Sequence, residues 1–180
     1  MTIKNMVAQL ELNKERLSKY KSLAVAFSYP QGGFFDFFPE LSGEREGLVR
    51  EYDRLFRVKE IWLYGTEYIS QHEFQRSNYL ADISGFYKAF GVEIHNDRPD
   101  SLEAILEFMH YLIYKEINAP SSEKAEICLD AQRKFFNEYV SPMARAIAQK
   151  VVDQTQSSFY KTISLEIQEF LAEEEKILKK

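Results

Sequence analysis

Few side chains in this sequence have both the type and the spacing for chemistry. Glu107 and His110 stand at i and i+3 in a helical pattern, so a carboxylate and an imidazole share one face. Di-iron bundles combine two such Glu-x-x-His pairs with a glutamate from each of two further helices. This chain has one such pair, and His72 and His95 fall at an expected helix start and in a connector, where neither completes the set. The pair therefore reads as an ordinary surface contact or as part of a helical metalloprotein centre. Asp97 with Asp100 and Glu103 with Glu107 are paired carboxylates, but charge runs on helices are usually solvated faces. Cys128 is the single cysteine and lies within a helical pattern, as a small core residue would. It permits no internal disulfide and no cysteine-based zinc site. No Gly-x-Ser-x-Gly, P-loop or Gly-x-Gly-x-x-Gly is present. The expectation is a binding protein, not an enzyme, with no cofactor of its own.

Composition narrows the partner. The chain has 180 residues, which suits a single domain over 1–180. Some of the 14 Phe, 11 Tyr and 1 Trp will fill the core, but so many also suggest an apolar groove for a partner. A net charge of −5 argues against nucleic acid, which needs a basic face, and favours a basic partner. Charged residues interrupt the N-terminus, so no signal peptide is expected, and no apolar run is long enough for a membrane span. No Arg-Arg pair occurs, so the chain is not itself a twin-arginine export substrate. One cysteine suits a reducing, cytoplasmic home.

The elements that must position these groups are helices. Apolar spacing predicts a long first helix over 4–27, stopped by Tyr29-Pro30. Phe34, Phe35, Phe37 and Phe38 then form an aromatic plug. A second helix covers 44–56, with Tyr52, Leu55 and Phe56 in its apolar stripe, and 57–69 reads as a loop. Ser70-x-x-Glu73 predicts a capping box opening a third helix to Phe90, closed by Gly91. Asp100-x-x-Glu103 predicts Asp100 as the cap of a fourth, striped by Leu102, Ile105, Leu106, Met109, Leu112 and Ile113. A fifth spans 122–140, and Ser141-Pro142 either caps a sixth or kinks the fifth. The last covers 157–178, and its Glu173–Glu175 and Lys179–Lys180 tail reads as a solvated, fraying end. No segment alternates with period two. The expected fold is all-α, a compact bundle of about six or seven helices.

Three segments, taken together, resemble a known family. They are Tyr52-Asp53-Arg54-Leu55-Phe56, then Asp82-Ile83-Ser84-Gly85-Phe86-Tyr87-Lys88-Ala89-Phe90-Gly91, then Asp97-Arg98-Pro99-Asp100-Ser101-Leu102 followed by Glu107-Phe108-Met109. Their order and spacing are similar to the TorD, DmsD and NarJ group of redox-enzyme maturation chaperones, over roughly residues 15–172. One position departs: Ser101 stands where the family usually has His, and serine cannot become cationic. The resemblance implies an all-α cytoplasmic chaperone for the immature catalytic subunit of a molybdopterin oxidoreductase, and for its twin-arginine leader where present. It allows a monomer or a helix-swapped dimer. A leader has a basic end and an apolar stretch, so its receptor needs an aromatic-lined groove that is acidic at one end. The candidate binding residues are Tyr52, Leu55 and Phe56, whose stripe could simply be core, and Asp97, Pro99, Asp100 and Ser101 in the connector. A plain helical scaffold meeting partners through aromatic surface remains the other reading.

Overall fold

Wherever the sequence sustains a 3.6-residue apolar period, a helix forms. The structure, a computed structural model, describes residues 3–59, 61–94 and 97–179. Its helices are α1 (Ile3–Phe27), α2 (Gly33–Phe37), α3 (Arg45–Asp53), α4 (Thr66–Ile69), α5 (Glu73–Ala89), α6 (Leu102–Ile117), α7 (Ser122–Phe135), α8 (Ser141–Gln154) and α9 (Ser158–Leu178). The longer ones are those the periodicity predicts. The short α2 and α4 lie inside stretches read as connectors. Among the described residues no strand forms beyond one isolated bridge, Tyr64 to Ser101, so the fold is all-α as expected. No helix among them is long and apolar enough to cross a membrane.

The stripe of α6 is its buried face: Leu102, Ile105, Leu106, Met109, Leu112 and Ile113 are all without solvent exposure. The helix lies against α1 on one side and α7 on the other, while α8 packs on α9. Phe135, at the end of α7, gathers Phe86, Tyr87, Phe108 and Tyr139 around it at ring distances of 4.8–6.0 Å. The plug behaves as predicted, with Phe34 and Phe35 buried and Phe34 and Phe38 both meeting Phe159 of α9.

Three local predictions are corrected. The cap of α5 is His72, whose Nδ1 accepts from Gln75 N at 3.2 Å; Ser70 instead ends α4. Ser141 does not cap α8. Phe136–Val140 is a π-turn that carries α7 straight into it. Pro142 lacks the N–H that an α-turn would need, and the preceding turn widens rather than breaking. The acidic tail is also not wholly solvated. Glu174 has no exposure and accepts from Arg16 Nε at 2.6 Å, Arg16 Nη2 at 2.9 Å and Tyr20 Oη at 2.9 Å. Burial opposes the Arg16 charge, but the Glu174 carboxylate holds the guanidinium above its ordinary pKa. Arg16 also donates to Asn13 and Gln132, and both of those donate to Glu116. One polar cluster thus joins α1, α6, α7 and α9.

Gly65 shows why the 57–69 stretch resisted assignment. A Cβ there would lie 2.3 Å from Met143 Sδ and 2.6 Å from Met143 Cβ, so α4 starts with the Gly65 backbone pressed against the Met143 side chain of α8. Gly65→Ala is expected to destabilise the fold by about 2 kcal/mol, as overpacking does. Met143→Ala will not fully rescue it, because the offending Cβ remains. Chemical denaturation of the single and double variants checks this, and a neutral Gly65→Ala would contradict the close approach.

Candidate functional site

The 97–101 connector is bolted to the segment before α4. Gly65 N donates to Asp100 O at 2.9 Å and Leu102 N to Leu63 O at 2.8 Å, forming the one bridge. Asp100 is fully buried. Its Oδ2 accepts from Thr66 N at 3.0 Å, Thr66 Oγ1 at 2.5 Å and Arg98 Nη2 at 3.0 Å, and its Oδ1 from Arg98 Nε at 3.0 Å. Arg98 also donates to Glu67 at 2.8 Å and lies over the Tyr64 ring at 4.4 Å. Pro99 O accepts from Tyr87 Oη at 2.7 Å.

With its carboxylate spent on Thr66 and Arg98, Asp100 does not cap α6, which corrects the capping prediction. Ser101 caps it, its Oγ accepting from Ala104 N at 3.2 Å. The hydroxyl at this position therefore has a structural task suited to serine.

So held, the connector forms one wall of a cleft of about 400 Å³. Val92, Ile94, Tyr87, Phe108 and Tyr111 give it an apolar lining, and among the described residues its charged lining groups are Asp97, Glu103 and Glu107. Glu107 is paired with Lys21 of α1 at 2.5 Å, and Asp97 accepts from the Arg98 backbone N–H at 2.7 Å. Glu103 reaches solvent at the mouth. Desolvation against the cleft wall, and then Glu107 and Asp97 nearby, push its carboxyl above the usual range, with Lys21 pulling the other way. Glu103 therefore carries its charge at a cost beside an apolar floor, and an incoming cation would relieve it.

The candidate residues divide. Asp97 and Ser101 line the cleft, and Pro99 anchors its wall from behind. Tyr52, Leu55 and Phe56 do not line it. Leu55 and Phe56 are buried, and Tyr52 packs on Tyr29, Phe56 and Tyr160 at 4.7–6.5 Å. Burial, and after it Glu103, push the Tyr52 hydroxyl up to about 12. The middle of that motif has its own structural task. Arg54 grips Glu51 through two bonds of 2.7 Å and donates to Gln154 O at 2.6 Å, tying α3 to the α8–α9 turn.

The Glu107–His110 pair faces α1. His110 Nδ1 donates to Leu17 O at 2.8 Å, since a carbonyl can only accept. Among the described residues no group of three or more His, Cys, Asp or Glu is placed to hold a metal ion. His95 lies outside the described residues.

Sequence reasoning missed that Glu103, Glu107, Phe108 and Tyr111 form one wall. The signal was available for three of them: Glu103, Glu107 and Tyr111 recur at i, i+4 and i+8 along α6, opposite its core stripe, while the buried Phe108 closes the wall beside them.

Comparison with known families finds one match that covers this whole region. The sequence model of the nitrate reductase delta subunit family matches residues 31–149, from the turn before α2 to within α8. No curated protein matches the chain.

Proposed function

Because the chain belongs to the nitrate reductase delta subunit family, which is known for redox-enzyme maturation chaperones, we propose that it holds the immature catalytic subunit of a molybdopterin oxidoreductase in the cytoplasm, together with a twin-arginine leader where that subunit carries one, and catalyses no reaction itself. The observation that supports this reading is the cleft: apolar and aromatic inside, acidic at its rim. A leader's arginines would meet Asp97, Glu103 and Glu107 through charge-assisted hydrogen bonds, and its apolar stretch would cover Tyr87, Phe108 and Tyr111. In this reading Ser101 and Pro99 shape the wall and Asp100 positions it. Tyr52, Leu55 and Phe56 brace α3 against α9 behind the site. A segment that orders on binding loses entropy, so affinity stays moderate and release is easy.

The test is fluorescence anisotropy with a labelled synthetic peptide carrying an Arg-Arg pair and an apolar stretch. Glu103→Gln combined with Glu107→Gln is expected to weaken binding by roughly tenfold at low salt. Equal affinity for both proteins would overturn the placement. Acidification should weaken binding to the parent, since Glu103 loses its charge at a higher pH than an ordinary glutamate.

Stability runs the other way. A carboxyl whose folded pKa is raised favours the fold while protonated, and that contribution disappears as pH rises through the folded pKa. Glu103→Gln should therefore be more stable than the parent at neutral pH, with the gap closing on acidification. Thermal melts across pH 4–7 check the sign, and a Glu103→Gln variant less stable at pH 7 would contradict it.

A further inference from the structure

The face of α6 that forms the acidic cleft does not end there. Glu103, Glu107, Tyr111 and Lys115 follow at four-residue spacing, so they lie in one row along the helix. Tyr111 lines the acidic cleft, and Lys115 sits over its ring at 5.9 Å while lining a second cleft of about 590 Å³. Tyr111 Oη donates to Phe90 O at 3.2 Å, and Phe90 lines the second cleft too, so the two meet at a common ridge. The second cleft is also apolar, with Phe90, Tyr114, Ile127 and Cys128 in its lining, but among the described residues its charged lining groups are Lys115 and Lys124. Tyr114 and Ile127 are about half exposed, 52% and 48%, so apolar surface remains open to a partner.

Helix electrostatics account for one of these two lysines and not the other. Lys115 in the last turn of α6 suits the helix dipole, as Glu103 does in the first. Lys124 stands in the first turn of α7, where the dipole disfavours a cation. It faces the same cleft as Lys115, and both oppose the rise that burial gives the Cys128 thiol, to which the Glu116 carboxylate adds.

We infer that the two clefts form one bipolar groove along α6 that takes a single client segment in one direction, its basic end at Asp97, Glu103 and Glu107, its apolar middle across Tyr111, and an acidic end at Lys115 and Lys124. The inference rests on the proposed reading of the acidic cleft and adds the direction and the far end. From Glu103 to Lys115 the rise is about 18 Å, so the segment spans about 12 residues if helical. Charge complementarity at both ends fixes its polarity, because the reversed orientation puts like charges together at each end.

The experiment uses two labelled peptides and two protein variants, read by fluorescence anisotropy at low salt. Both peptides carry two arginines at the N-terminal end and a Leu/Ala middle. One ends in two aspartates and the other in two asparagines. Lys115→Glu combined with Lys124→Glu is expected to weaken the aspartate peptide by about tenfold and to leave the asparagine peptide within about twofold. Both lysines are exposed, and the asparagine peptide reports that the variant is folded. If the two peptides respond alike, the far end of the groove is not used and the inference fails. Glu103→Gln with Glu107→Gln, which should weaken both peptides, then shows whether the acidic cleft stands without it. If the parent protein binds neither peptide, both readings fall.

Discussion

Replacing Asp100 with alanine is expected to lower the free energy of unfolding by about 3 kcal/mol, the scale on which breaking a buried charged pair operates. The carboxylate has no solvent exposure and is the acceptor for Thr66 N, Thr66 Oγ1 and Arg98 together. Its loss leaves a buried N–H and hydroxyl without that partner. Arg98 keeps Glu67 and is about one-third exposed, at 34%, so Arg98→Ala should cost less. Asp97→Ala provides the contrast. Asp97 is exposed at the cleft rim, so its loss should leave stability within about 0.5 kcal/mol of the parent. The same change should weaken binding of an arginine-bearing peptide. Urea denaturation of the three variants separates these roles. A stable Asp100→Ala protein would show that the connector is held by something other than this cluster.

The second large effect lies in the cluster at the C-terminal end of α6. Arg16→Ala or Glu174→Ala should each destabilise by about 3–5 kcal/mol, because each leaves an uncompensated charge in the interior. The two side chains are 3% and 0% exposed and share bonds of 2.6 and 2.9 Å. The double variant, Arg16→Ala with Glu174→Ala, should cost far less than the sum, giving a coupling energy of about 2 kcal/mol or more. It will not be free of cost, because Asn13, Gln132 and Tyr20 lose partners as well. Additive single effects in a denaturation cycle would contradict the pairing.

How much of this was legible in the sequence depends on the range of the interaction. Apolar spacing is local, and it located the long helices and the core stripe of α6. The resemblance carried by the three motifs was likewise readable, and the family match spans them. Capping failed where a distant partner claimed the capping group. Asp100-x-x-Glu103 has the pattern of a capping box, but Thr66, over thirty residues away in sequence, takes the carboxylate. Glu174 reads as part of a charged tail because Arg16 lies 158 residues away. Asp97 and Asp100 looked equivalent in the sequence, yet the fold sends one to the rim and buries the other. Among the candidate residues the motif around Tyr52 packs against Tyr29 and Tyr160 instead of lining the cleft, a place its apolar stripe also allowed. The cleft was the hardest to foresee, because it joins one face of α6 to a loop, and its acidic character depends on which carboxylates face inward.

The measurement closest to the central claim is affinity purification of the tagged protein from its native host under conditions that induce respiratory oxidoreductases, with partners identified by mass spectrometry. Parent protein and the Glu103→Gln, Glu107→Gln variant are compared side by side. The account predicts that one large molybdopterin-type catalytic subunit co-purifies with the parent and is lost from the variant. Recovery of no such subunit with the parent, or equal recovery with the variant, would contradict it.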